Sequence, residues 1–249
     1  MSTNSRVADD PSLSLGNTRL LDLDNSKLRL QALRITQLAA GDIQKAIGIH
    51  DFIKSLPFGC PTTGGHTSAA QVLKSRRGDC HSKGTLFVAL LRATGIPARL
   101  RFVSLSGAFL RGILDMKENS ITHAIGEVYL NGQWAQTDSY VADVELETLA
   151  LAKLDSEGQL LGYGIHVRGD RYWNGLKNAH GQYASDDPSS LPLIDFGVHH
   201  DPELFYATQP RLLDQNSWLT RAKWSIAARL INRRTQQLRS GGASHLRSA

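Results

Sequence analysis

Two cysteines occur in the 249 residues, and one of them, Cys80, lies in RRGDCHSKGTLFVALLRATGIPARL (residues 76–100) where a helix is expected to begin. The unpaired N–H groups of a helix start carry positive partial charge, which favours thiolate. Further along, ITHAIGEVYLNGQWAQTDSYV (residues 121–141) contains His123 and Asp138. An imidazole beside a thiol can take its proton. A carboxylate on the far ring nitrogen then fixes the tautomer and stabilises the imidazolium. The backbone N–H of Cys80 is also a natural donor to a developing oxyanion. Together these groups are suited to attack by sulfur on an acyl carbon.

Local sequence says how they are held. Gly78 breaks the chain and Asp79 is a good N-cap, which makes Cys80 the first helical residue. The helix runs through Leu86, Phe87, Leu90 and Leu91 and stops at TGIP, with Gly95 in the left-handed region and Pro97 beyond it. Positions 80, 84, 87 and 91 share an inward face, and Gly84 allows close approach beneath the cysteine. His81 points about 100° away, to the periphery of the site or the surface. Asp79 opposes the thiolate, and the imidazolium is expected to outweigh it. ARLRFVSL (residues 98–105) reads as a strand with Leu100 and Phe102 inward, Arg99 and Arg101 outward. Asn131-Gly132 predicts a two-residue type I′ hairpin. Its register pairs Leu130 with Gln133 and Tyr129 with Trp134, so that Asp138 falls opposite Ile125. His123 is then a diagonal neighbour of Asp138 on one face, about 7–8 Å away at the backbone.

These stretches resemble the transglutaminase-like superfamily. The cysteine helix ending in LLRATGIPAR, the histidine before EVYLNGQW and the aspartate just after carry the resemblance, with IHDFIKSLPFG and AAQVL as a lead-in. It covers roughly residues 40–143. It implies an α+β fold of papain-like or transglutaminase-like type, with the nucleophile helix packed on an antiparallel β-sheet and a C-terminal extension. Carried over position by position, the catalytic residues are Cys80 as nucleophile, His123 as general base and Asp138 as orienting acid. Ala124 and Ile125 stand where many relatives have an aromatic residue, and a side-chain oxyanion donor upstream of the cysteine has no assigned counterpart. Gln71, nine residues back, is not assigned that role. Nothing resembles the calcium sites or extra β-domains of animal transglutaminases. The implied activity is a bacterial-type thiol hydrolase or acyltransferase acting through an acyl-thioester on Cys80. The expected partner is a peptide, glutamine-containing or small amide substrate. The alternative is a catalytically silent member of the fold acting as a protein-interaction module.

Composition is that of a globular protein, with 41% hydrophobic and 20% charged residues. No signal peptide or membrane span is recognisable, so a cytoplasmic protein with two free thiols is expected. Residues 1–18 read as a disordered N-terminus, 19–143 as the catalytic core and 144–214 as an extension or lid. Residues 215–249 read as a basic C-terminal helix and tail. That tail holds seven Lys or Arg and no acid, and +5 less its +7 leaves −2 for the remainder. Trp218, Ala222, Ile226 and Leu230 suggest its apolar stripe. A docked helix is favoured there over a weak anionic partner. Cys60 reads as a buried or idle thiol. His199 and His200 with Asp201 and Glu203 match no metal-ligand spacing, and no metal or cofactor is expected.

Overall fold

The structure, a computed structural model, describes residues 10–63, 66–114, 120–208 and 218–246, with side chains of the last helix described from 224 to 240. Four helices come first: α1 (Ser26–Thr36), α2 (Asp42–Ser55), α3 (Ala69–Ser75) and α4 (Cys80–Ala93). The chain between α1 and α2 breaks at Gly41, which is the N-cap of α2, and Asp42 sits in the first turn, paired with Lys45. The strands β1 (Ala98–Ser106), β2 (Ser120–Leu130) and β3 (Gln133–Thr137) follow, then α5 (Val144–Glu157). After it come the short pair β4 (Leu161–Gly162) and β5 (Ile165–His166), the edge strand β6 (Ile194–His199), α6 (Pro202–Thr208) and the long α7 (Trp218–Leu246). The main sheet is antiparallel in the order β3-β2-β1-β6, so the fold is α+β.

α4 is buried along its whole length, from His81 to Arg92. Leu86, Phe87 and Leu90 share one core cluster with Leu100, Phe102 and Val128 of the sheet. Two glycines set the helix-to-sheet distance. A Cβ on Gly84 would lie 3.1 Å from Leu100, and one on Gly126 would lie 2.7 Å from the Phe87 ring and 3.1 Å from the Tyr140 hydroxyl. Phe87 is fully buried and cannot move aside without cost. Gly126→Ala is therefore expected to destabilise the fold by about 1–3 kcal/mol through overpacking. Urea denaturation checks this, and an unchanged midpoint would contradict the packing described.

The hairpin has the expected register from Leu130↔Gln133 to Gly126↔Thr137, with Asn131 and Gly132 both at positive φ (50° and 83°). The outward face of β1 is less exposed than its alternation suggests. Arg99 is buried, donating to Glu127 Oε2 at 2.6 Å and lying 3.9 Å over the Trp134 ring, while Arg101 donates to Glu127 Oε1 at 2.7 Å. Long charged side chains fill this face because each charge finds a partner.

Three segments depart from expectation. Residues 10–18, expected without structure, include a 3-10 turn (Pro11–Ser14) capped by Asp10, with Ser14 buried and 2.7 Å from His200 Nδ1; residues 1–9 lie outside the described residues. Part of the expected extension is built into the sheet, since β6 pairs with β1. On α7 the expected stripe is on the wrong side. Ile226 and Leu230 are exposed, whereas Ala228, Ile231 and Thr235 are buried and Trp224 and Leu238 partly so. Four-residue steps overshoot a 3.6-residue turn and drift around the helix, while the alternating three- and four-residue steps of the buried set stay on one side. Trp218 and Ala222 lie outside the described side chains.

α7 is nonetheless docked. Trp224 Nε1 donates to Pro61 O at 2.9 Å, Asn232 exchanges two hydrogen bonds with the Cys60 backbone, and Arg239 pairs with Asp143. No described helix is long and apolar enough to cross a membrane.

Candidate active site

The α4 start is built as expected. The Asp79 carboxylate accepts from Ser82 N at 2.9 Å, and the Ser82 hydroxyl accepts in return from Asp79 N. Cys80 is thus the first helical residue and is partly exposed. The first hydrogen bond of the helix is Lys83 N to Asp79 O, so the Cys80 N–H precedes the ladder.

His123 and Asp138 are both fully buried, with His123 Nε2 2.8 Å from Asp138 Oδ2. The diagonal pairing inferred from the hairpin register is realised as a hydrogen bond. His123 Nδ1 is buried and has no hydrogen-bond partner among the described residues. It is the nitrogen turned from the carboxylate, and Cys80 is the other group acting on the ring. Burial works against the imidazolium, but the negative charge at Cys80 and the hydrogen bond and charge of Asp138 outweigh it and push His123 up to about 10. Burial likewise opposes ionisation of Asp138. The His123 hydrogen bond and charge overcome that and hold the carboxyl below its usual range.

Several groups that hold Asp138 in place carry no sequence signal. Its second oxygen, Oδ1, accepts from Gly181 N at 2.7 Å, and its own N–H donates to Ala179 O at 3.1 Å. Both partners come from the loop before β6, and a backbone N–H is anonymous in sequence. The next residue, Ser139, is held by His50 Nε2 at 2.8 Å and, through its carbonyl, by Lys54 Nζ at 2.9 Å. Beyond it, the carbonyls of Tyr140 and Val141 accept from Lys83 Nζ at 3.1 and 2.9 Å. Lys83 lies one turn along α4 from Cys80, so it ties the nucleophile helix to the aspartate segment. A lysine three residues after the cysteine is a legible clue only once the helix is known to be buried all round.

Burial lowers Lys83 to about 7 despite the nearby Asp143. Between that value and the ordinary lysine range the unfolded chain holds a proton that the folded chain does not, so stability contributed at this position rises with pH. The unfolding free energy of the wild type relative to Lys83→Met is expected to increase from pH 7 to 10.5 and to be flat below 7. Denaturation at pH 6, 8 and 10 measures it, and a difference independent of pH would contradict the buried lysine.

The other candidates are placed as follows. His81 is buried rather than at the surface. Its ring stacks with Phe102, and its nitrogens meet Tyr206 Oη and Thr122 O at 3.2 Å each. Gln71 closes a capping box with Ser68, which commits its side chain to the start of α3. His199 packs against Phe102 and Phe205, and Glu203 pairs with Arg19. Where relatives have an aromatic after the histidine, Phe109 brings a ring 6.3 Å from His123 by another route. Cys60 is buried, and it lines the same cavity as Cys80 and His123. Burial and the negative charges of Asp79 and Cys80 push the Cys60 thiol well above the ordinary range.

Residues 31–139 match the family model of the transglutaminase-like superfamily. Among solved structures, a proposed cysteine protease from Cytophaga hutchinsonii is 26% identical, over 51% of this chain and 41% of its own, with a TM-score of 0.42. A proposed protease from Parabacteroides distasonis is 19% identical, over 51% of this chain and 25% of its own, with a TM-score of 0.35. The alignment spans less than half the length of either. No curated protein matches the chain. The segment matched by the transglutaminase-like superfamily model, residues 31–139, holds the cysteine helix, the histidine strand and the aspartate.

Proposed function

We propose that the protein is a thiol-dependent amide hydrolase or acyltransferase in which Cys80 is the nucleophile, His123 the general base and Asp138 the orienting acid. One observation carries this reading: His123 gives Nε2 to a buried carboxylate, keeps Nδ1 without a partner among the described residues, and lines the same cavity as Cys80. His123, pushed up to about 10, already holds the thiol proton on Nδ1 when sulfur bonds as thiolate to the carbonyl carbon. The carbonyl oxygen takes up negative charge near the Cys80 N–H. As the intermediate collapses, the C–N bond breaks and the amine leaves with the proton from His123. The acyl-thioester is then cleaved by water or by a second amine. Asp138, held by Gly181, keeps the ring oriented throughout.

The test is mass spectrometry of the intact protein quenched during reaction with an activated acyl ester. The expected result is one acyl adduct on Cys80, absent from Cys80→Ala. Partner binding retained by Cys80→Ala, with no adduct on the wild type, would favour the silent interaction module instead.

A further inference from the structure

The cavity at Cys80 is suited to a particular acyl group. It has a volume of about 260 Å³ and reaches both Cys80 and His123. Its walls include Phe58, Leu110, Leu114, Ile121, Trp224 and Ile231, and no lysine or arginine is among the described residues that line it. Apart from the catalytic His123 and the Ser120 hydroxyl at its edge, the polar side chains on the wall are already engaged. Asp79 accepts from the Ser82 N–H and hydroxyl, and Thr122 Oγ1 and O lie 3.3 and 3.2 Å from His81 Nε2. His81 Nδ1 is taken by Tyr206. A carboxamide or charged side chain entering here would lose water and gain little in exchange. An apolar one would gain on both counts. An apolar cavity of about 150 Å³ is enough for benzene, so this one has room for a ring with a short chain.

Two of those walls come from α7, outside the segment that matches the family. Trp224 and Ile231 stand a two-turn interval apart, and Ala227 lies between them on the same lining. The clamp of Asn232 on the Cys60 backbone and of Trp224 on Pro61 holds this part of α7 beside the cysteine loop. We infer that α7 completes an acyl-binding pocket on Cys80 selective for aliphatic or arylalkyl acyl groups, and against glutamine-like or charged ones. The inference rests on Cys80 being the nucleophile. It concerns the acyl part of the substrate, because that is the part that stays bonded to sulfur at the mouth of the cavity.

The experiment uses the full chain with p-nitrophenyl acetate, hexanoate, 3-phenylpropionate and hemisuccinate, with Cys80→Ala as the blank. In each, the Cys80 S–C bond forms, the ester C–O bond breaks and p-nitrophenolate leaves. Water then hydrolyses the thioester. The expected kcat/KM for hexanoate and phenylpropionate exceeds that for acetate by about 10- to 100-fold, with hemisuccinate below acetate. Ala227→Phe, which fills the pocket from α7, is expected to pull the hexanoate-to-acetate ratio towards one. Trp224→Ala, which widens it, is expected to raise phenylpropionate relative to hexanoate.

Acylation of Cys80 at similar rates by acetate and hexanoate, or faster by hemisuccinate, overturns the apolar pocket while leaving the thiol reading intact. A ratio unmoved by either α7 substitution in folded protein overturns the role of α7. No acyl adduct on Cys80 with any ester overturns the thiol reading, and the acyl pocket with it.

Discussion

Cys80→Ala is expected to lower turnover by at least about 10³-fold while the protein remains folded. The loss is large because no other group in the cavity can take over. Cys60 lines the same wall, but burial and two neighbouring negative charges keep its thiol protonated. Protonated sulfur is a poor nucleophile. The cost to stability is small, within about 1 kcal/mol, because Cys80 is partly exposed at the first position of a helix already capped by Asp79. Steady-state kinetics beside thermal unfolding separates the two effects. Turnover within tenfold of wild type, by a variant that unfolds at the same temperature, would remove Cys80 from the mechanism.

Asp138→Asn is expected to lower kcat/KM by about 10²- to 10⁴-fold. The amide is nearly isosteric, and its oxygen can still accept from Gly181 N. Its NH2 then faces His123 Nε2, which must become an acceptor. The ring proton moves to Nδ1 and points into the cavity, where a lone pair is needed to take the thiol proton. The variant also loses the Asp138 hydrogen bond and charge that help hold His123 up at about 10.

A sign follows for pH. A histidine raised from 6.5 contributes stability that is complete below 6.5 and lost as pH rises to about 10. In Asp138→Asn the loss still begins near 6.5 but is smaller and complete at a lower pH. The pH dependence of unfolding and of kcat/KM, compared in both proteins, checks it. A variant within fivefold of wild type and with an unshifted profile would leave Asp138 without an orienting role.

Legibility differed sharply from residue to residue. Asp79, Cys80, Gly95 and Asn131-Gly132 were readable because caps and tight turns depend on a few adjacent residues. The hairpin register then extended that local information across fifteen residues, from His123 to Asp138. The burial of Arg99, by contrast, depends on Glu127 and Trp134, residues far along the chain. His81 looked peripheral by its helical angle, yet Phe102 and Tyr206 enclose it from two other elements. On α7, four-residue spacing pointed to Ile226 and Leu230, while the docked face was settled by what α5 and the Cys60 loop present to it.

The sequence by itself thus determined the capped cysteine helix, the tight hairpin and the pairing of His123 with Asp138. Only the tertiary structure decided how that constellation is supported and enclosed. Gly181 reaches Asp138 through a backbone N–H, Lys83 binds two main-chain carbonyls, and α7 supplies part of the cavity wall. The physical reason is range. Caps, turns and strand registers are set by neighbours in the chain, whereas backbone donors and cavity walls acquire their role only when distant segments pack together.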